Sequence, residues 1–361
     1  MKTTAIIGAG PAANHLAYHL AKKKWPVHVY EEHKTIGNPI QCTGIMTHKI
    51  TEMVPLKAPV LVNECQTVRV YAPNKKFLDF KLKKKDVIVH RAKFDEFLAR
   101  RAQKEGAQYH LEHRFIKNEG KKLHFTHNKK EIIKQTDLLV GADGPNSQVA
   151  KNNSLFVNRE FAIGHQVTAE IEMDPSMYEV WLGYGAFAWV VPECNKTARI
   201  GLVATHKTKE IFDQFFNMRA KGAKILSYEP GPIPIYDPKI QTQNNFVYLL
   251  GDAATMVKAT SYGGIIQGML AAEELSRAIT ENKKYETLWR KKVHQDLYLH
   301  LKLRHVLDKF SPEEYNELLT LLTKPKTKEV IETHERDFLS KFALQVALSQ
   351  PRLLKYITKL F

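Results

Sequence analysis

Thr4-Ala-Ile-Ile-Gly8-Ala-Gly10-Pro-Ala-Ala13-Asn14 is the stretch on which the fold is decided. Thr4 to Ile7 reads as a short buried strand, Gly8 to Ala13 as a tight turn, Asn14 to Lys23 as a helix, and Val27-His-Val-Tyr30 as a second strand ending in Glu31. That order is a βαβ dinucleotide unit. Gly8 permits the turn, Gly10 lets backbone approach a pyrophosphate at the helix N-terminus, and Ala13 keeps helix and strand close. Glu31 stands where a carboxylate accepts hydrogen bonds from an adenosine ribose. The fingerprint alone leaves FAD and NAD(P) open.

Working outward, Gly37-Asn-Pro-Ile-Gln-Cys42-Thr43-Gly44 reads as an irregular loop that passes near the ligand. Alternation over Val60 to Leu82 predicts hairpins of a half-exposed sheet, and Val87 to Arg91 a further strand. A helix is expected over Ala92 to Glu105, with Phe94, Phe97, Leu98 and Ala102 on one side and Gly106 as its C-terminal cap. Strands are expected around Tyr109 to Ile116 and Lys122 to Thr126, then a buried one ending in Asp143-Gly144. Residues 161 to 203 read as one antiparallel sheet outside the βαβ core. Its aromatics, Trp181, Phe187 and Trp189 among them, could line a lipid-sized cavity or simply fill the core. A strand from Phe246 ends in Gly251-Asp252 and leads through Gly263-Gly264 into a helix to about Glu281. The rest, 285–310, 312–323 and 338–361, reads as helical.

The 361 residues, 43% hydrophobic and 25% charged, suit a water-soluble chain with two or three structural units, and no apolar run is long enough to span a membrane. Gly8, Gly10, Pro11 and Asn14 interrupt the apolar N-terminus, so no signal peptide is expected. Three cysteines without a CxxC spacing fit a reducing cytoplasm and offer no zinc motif. His110-x-x-His113 and His124-x-x-His127 fall on alternating, exposed strands, so no metal is expected. The net charge of +16, spread in short lysine clusters, suits nucleic acid, an anionic membrane or an acidic protein. No nucleic-acid module accompanies it.

Two further strand-terminal acids with glycines bear on the cofactor. FAD is long, so its ribitol and ring need partners far from the first turn. Asp252 and the amides of Gly264 and Ile265, at a helix N-terminus, supply them. These motifs in this order resemble the FAD-dependent oxidoreductases of the aromatic-hydroxylase type. Within that group the chain resembles the geranylgeranyl reductases, in particular the archaeal kind that acts on digeranylgeranylglycerophospholipids. The matching residues are Gly37-x-Pro39-x-x-Cys42 with Gly44, Arg91-x-x-x-Asp95, Ala188-Trp189-Val-Val-Pro192, Ala198-Arg-Ile-Gly-Leu202, Trp289-Arg290 and Ser311-Pro-Glu-Glu.

The resemblance implies an α/β fold: an FAD-binding Rossmann-like domain, an inserted antiparallel β-sheet substrate domain and a helical C-terminal region. The expected boundaries are 1–57 with 88–155 and 242–284, then 58–87 with 156–241, then 285–361. It implies FAD held at Gly8, Gly10, Ala13, Glu31, Cys42, Thr43, Arg91, Asp252, Gly264 and Ile265, and a prenyl substrate at Trp189, Phe187 and Trp181. The implied reaction saturates isoprenoid double bonds, with Cys42 a candidate proton donor or a packing residue. NAD(P)H or a small ferredoxin-like protein would supply electrons to a cytoplasmic protein with peripheral contact to anionic membrane at its inner face. The sequence departs from the family at Phe187 (usually Tyr), at Val191-Pro192-Glu193 (Phe-Pro-Lys) and at Lys258-Ala259 (Asp-Pro). An FAD-dependent aromatic monooxygenase shares the dinucleotide motifs, and a non-catalytic flavin or prenyl-lipid binder would tolerate the Lys258-Ala259 change.

Overall fold

The computed structural model describes residues 2–156 and 159–360. The chain divides into two compact units, one of residues 1–40, 91–160 and 234–298, the other of 41–90, 161–233 and 299–361. The sequence reading drew three regions. The unit boundaries instead put the loop from Gln41 with the second unit and split the C-terminal helices at Tyr298 and Leu299.

In the first unit, Thr4–Ile7 is buried at every position and lies parallel between Val27–Tyr30 and Leu138–Gly141. Val247–Leu249 and Gln108–His110 extend the sheet in parallel on either side, and Gln243–Asn244 adds an antiparallel edge. Short apolar strands between helices leave both sheet faces covered, which is why Ala5, Ile6 and Val29 need no polar alternation. The first helix runs Pro11–Lys22, three residues earlier than the sequence suggests, because Pro11 occupies N1, where its missing N–H costs nothing. Helix Arg91–Glu105 ends as expected at Gly106, whose φ is +112°. The strand expected over Tyr109 to Ile116 is two. Glu112, at φ +59°, turns the chain between Gln108–His110 and Arg114–Glu119, and the latter joins a separate three-stranded antiparallel sheet with Lys122–His127 and Lys130–Gln135.

The second unit holds a nine-stranded sheet. The strand expected over Val87 to Arg91 is the end of a long strand, Phe77–Val89, which pairs antiparallel with Leu61–Tyr71. Both belong to the same sheet as Phe161–Glu170, Met177–Trp181, Phe187–Cys194 and Thr197–Ala204. That sheet is mixed rather than wholly antiparallel, since Met177–Trp181 runs parallel to Leu61–Tyr71. One face is closed by helix Thr208–Ala220, through Phe212 and Phe215 packed on Val167, Ile200 and Leu202. The expected segment Phe338–Phe361 forms short helical pieces, Leu339–Lys341, Ala343–Ser349 and Pro351–Leu360; Phe361 lies outside the described residues. No described helix is long and apolar enough to cross a membrane.

Candidate cofactor and substrate site

The Gly-rich turn is built so that one glycine is compulsory and the other is open. Gly8 has φ +95°, and a Cβ there would lie 2.4 Å from the carbonyl oxygen of Ala142. Its N–H donates to the Tyr30 carbonyl at 2.8 Å, tying the turn to the second strand. Around Gly10 nothing lies within 4 Å of where a Cβ would be. Helix Pro11–Lys22 has Gly10 as its N-cap with no side-chain cap, so its first-turn amides are left for an external acceptor. Ala13 is buried beneath. Glu31 accepts from Ala9 N–H at 2.9 Å through one oxygen and from His33 N–H at 3.0 Å through the other. Oε1 also lies 2.6 Å from His33 Nδ1, so Glu31 braces the turn and Oε2, which takes only the Ala9 N–H, is the oxygen that retains a lone pair for a ribose hydroxyl. This cradle fits a dinucleotide pyrophosphate.

A second group of site residues in the same unit lies where Val247–Leu249 ends. Gly251, at φ +65°, starts a single 3-10 turn over Gly251–Ala254 that presents Asp252. A Cβ on Gly264 would lie 3.0 Å from Asp252 Oδ1, so the carboxylate sits against the glycine that opens helix Ile265–Thr280. That helix, too, has no side-chain cap. Burial holds the Asp252 carboxyl above the usual carboxylate range, opposed by the charges of Arg91 and Arg159. Arg91 pairs with Asp95 at 3.1 Å, and the Asp95 carbonyl accepts from Asn14 Nδ2 at 3.0 Å, so the arginine is referenced to the first helix. A Cβ on Gly37 would come within 2.6 Å of Ala92 Cα, which explains the glycine that precedes Pro39.

Arg159 was not anticipated from sequence. Its guanidinium donates to the carbonyls of Pro145 and Ala253, at 3.0 and 2.6 Å. Asp143, the other strand-terminal acid, is occupied structurally. It accepts from Ser147 Oγ at 2.6 Å and Val149 N–H at 3.1 Å and so holds the start of helix Gln148–Asn152.

Cys42, Thr43 and the aromatic residues belong to the second unit. Strand pairing sorts them by face. Trp189 stands opposite Gly201, which stands opposite Gln166; Val191 stands opposite Arg199. Phe187, Trp189, Val191 and Arg199 therefore share one face. A Cβ on Gly201 would meet the Trp189 ring at 2.5 Å, and the indole N–H donates to Gln166 at 3.0 Å, so the tryptophan lies flat on the sheet. Arg199, buried on this face, donates to the carbonyls of Thr43 and, at 3.0 Å, Val89. The Cys42–Thr43 loop is thereby fixed on the side of Phe187 and Trp189. Gly44 N–H donates to Cys42 Sγ at 3.3 Å, and the thiol is half-buried.

Trp181 corrects the expected aromatic lining. It stands opposite Ala188, one residue out of phase with Phe187 and Trp189, and faces helix Thr208–Ala220. It stacks on Tyr71 with ring centroids 3.7 Å apart and donates to Glu179 at 2.8 Å. Trp181 is core; Phe187 and Trp189 remain as candidates. Of the histidines weighed as ligands, His110 bonds His28, His113 bonds the Leu111 carbonyl, and His124 bonds Glu131.

No protein-family model matches the chain. Among named relatives, the digeranylgeranylglycerophospholipid reductase of Methanocaldococcus jannaschii is 27% identical over 98% of this chain and 97% of its own length. The protein of the same name from Methanococcus vannielii is 25% identical over 98% and 97%. A solved geranylgeranyl bacteriochlorophyll reductase-like protein from Thermoplasma acidophilum superposes with a TM-score of 0.86, at 21% identity over the full length of both chains. The flavin-dependent brominase Bmp2 superposes with a TM-score of 0.78, at 16% identity over 99% of each. The fold is the α/β, Rossmann-like one that these solved structures share.

Proposed function

We propose that this chain belongs with the geranylgeranyl reductases and is an FAD-dependent reductase that saturates C=C bonds in the geranylgeranyl chains of archaeal-type membrane lipid precursors. The observation that carries the reading is one sheet face bearing Trp189, Phe187 and the pinned Cys42–Thr43 loop, in a chain that aligns end to end with reductases of such lipids. Reduced FAD, when bound, supplies a hydride to one alkene carbon. The chain's own residues do the rest. Gly8, Gly10, Ala13 and the uncapped helix at Pro11 accept the pyrophosphate, and Glu31 orients the ribose. Arg91, Asp252 and the amides of Gly264 and Ile265 hold the far end.

A trisubstituted alkene is electron-rich, so hydride adds only as a proton reaches the other carbon. Cys42 holds a proton at Sγ, and Phe187 and Trp189 keep the prenyl chain dry. Each turnover consumes one hydride and one proton and leaves one saturated bond. NAD(P)H or a ferredoxin-like protein would return the two electrons, and the chain's +16 charge offers such a donor an attractive surface.

Peripheral membrane contact is part of the proposal. Leu344, Leu348 and Leu354 are exposed large hydrophobics close in sequence to Arg352 and Lys355, the composition of a surface that rests on anionic lipid. The test is anaerobic. Protein reduced with dithionite is mixed with digeranylgeranylglyceryl phosphate, and both flavin reoxidation and a mass gain of two hydrogens per bond are followed. Flavin that stays reduced would refute the substrate. Oxygen-dependent hydroxylation would favour the monooxygenase reading instead.

A further inference from the structure

On helix Pro11–Lys22, His15 and His19 are one turn apart and share a face, and opposite them helix Ile265–Thr280 presents Glu273. His15 Nε2 lies 3.2 Å from Glu273 Oε1 and 3.1 Å from His19 Nε2, and all three atoms lie within 4.8 Å of one another. His15 is almost fully buried. The two imidazole rings meet edge to face at 77°, with centroids 4.5 Å apart.

Proton bookkeeping shows what this cluster lacks. If His15 Nε2 carries a hydrogen, it can point at Glu273 or at His19 but serves both poorly. If His19 Nε2 donates to His15 instead, the carboxylate faces a lone pair. In either arrangement the three atoms, all within 4.8 Å of one another, share one hydrogen.

We propose that His15, His19 and Glu273 form a binding site for one divalent transition-metal ion, Zn2+ by donor set, that clamps helix Pro11–Lys22 to helix Ile265–Thr280. Around a tetrahedral Zn2+ with bonds of about 2.0–2.1 Å, donor atoms stand roughly 3.4 Å apart. Two of the three edges already have nearly that length, and a side-chain rotation closes the third. Water completes the shell. Both helices begin at the cofactor cradle, at Gly10 and Gly264, so a clamp here would steady the two uncapped N-termini without touching the flavin.

Three features limit the affinity. A metal at His15 Nε2 puts the remaining hydrogen on Nδ1, which has no acceptor among the described residues. Arg101 and Lys22 act on His19, and Lys292 acts on Glu273, all with repulsive charge toward a cation. The site therefore belongs in the micromolar range, far weaker than closed structural zinc sites.

The test uses the full-length flavoprotein, stripped with EDTA and titrated with Zn2+ by calorimetry. X-ray absorption at the zinc edge counts imidazole ligands, and far-UV circular dichroism follows melting with and without Zn2+. One ion per chain, two imidazoles in the shell and a melting point raised by Zn2+ are expected. His19→Asn and Glu273→Gln should each weaken binding at least tenfold and abolish the thermal shift. Glu273, far more exposed than His15, guards against a merely unfolded variant. Zn2+ affinity unchanged in both variants would assign the binding to other histidines and overturn the proposal, as would no binding at 100 µM, a ceiling of about a hundredfold above a micromolar constant.

Discussion

Arg199 Nε donates to Glu193 Oε1 at 2.7 Å, and the same guanidinium donates to the carbonyls of Thr43 and Val89. Glu193 stands where the resembling family carries lysine. In this chain it is the partner of a buried arginine that pins the Cys42 loop, so the departure is a local exchange of charge with a structural purpose. Arg199→Met should leave the two carbonyls unpaired and cost about 3 kcal/mol in urea unfolding. It should also speed alkylation of Cys42 several-fold, read by peptide mass mapping, while exposed Cys194 reacts as before. Glu193→Gln, at a partly exposed position, should cost less than about 1 kcal/mol. Equal effects of both variants would contradict this hierarchy.

The two turn glycines should separate stability from binding. Gly8→Ala forces a Cβ onto the Ala142 carbonyl at positive φ and should destabilise by about 3 kcal/mol or more. Gly10→Val places its Cβ where nothing lies within 4 Å, so its melting point should stay near that of the parent without cofactor. It should nonetheless lose FAD, because the open space over Gly10 is where the pyrophosphate would lie. Retention of flavin by Gly10→Val after gel filtration would argue against that cradle.

The tryptophans should behave oppositely. Trp181→Ala removes a buried ring from between Tyr71 and Phe215 and should cost about 3–5 kcal/mol. Trp189→Phe keeps an aromatic plane over Gly201 but deletes the hydrogen bond to Gln166, for about 1 kcal/mol. Its larger effect should be on KM for the prenyl substrate, measured by steady-state reduction. A KM shift in a folded Trp181→Phe variant but none in Trp189→Phe would reverse the assignment of faces.

What was readable in the sequence follows from how local each determinant is. The βαβ turn was legible because Gly8, Gly10, Ala13 and Glu31 act within one short segment. The cap at Gly106 was legible for the same reason. Which aromatics share a face was not, since it depends on the register of Met177–Trp181 against Phe187–Cys194. Helix Thr208–Ala220 was missed although Phe212, Phe215 and Phe216 carry its i, i+3, i+4 spacing. Arg159 and Arg199 were invisible as site residues because each holds carbonyls far away in sequence. The turn at Glu112 carries no glycine, so nothing marked the break between two sheets.

Acid should weaken the fold through His19. Its folded pKa lies at about 4, below the unfolded value of about 6.5, so the unfolded chain binds the extra proton in between. Stability from this group is complete above pH about 6.5 and declines as pH falls toward 4. With partial exposure discounted, the loss from His19 is of order 2 kcal/mol. Urea unfolding in EDTA at pH 7.5 and 5 should show it, and His19→Gln should remove about that much of the pH dependence. An unchanged dependence would place the sensitivity at His28 and His110, whose pKa values are also lowered by burial.

Lys258 offers a test of how the far end of the cofactor is held. Its side chain is buried, and its ammonium lies 3.7 Å from where a Cβ on Gly263 would stand, beside the N-terminus of helix Ile265–Thr280. A cation and the positive end of a helix dipole at one place would both favour the anionic, reduced form of a flavin if Gly264 and Ile265 held its electron-rich edge. Lys258→Asn should therefore lower the two-electron potential of bound FAD. A loss of about 1.4 kcal/mol of preference for the reduced form corresponds to about 30 mV. Dye-equilibrated reductive titration measures it directly and requires no substrate. A potential that does not move, in a variant that still binds FAD, would mean that Lys258 serves only to pack the Gly251–Gly264 loop and that the reduced flavin draws its stabilisation from the helix alone.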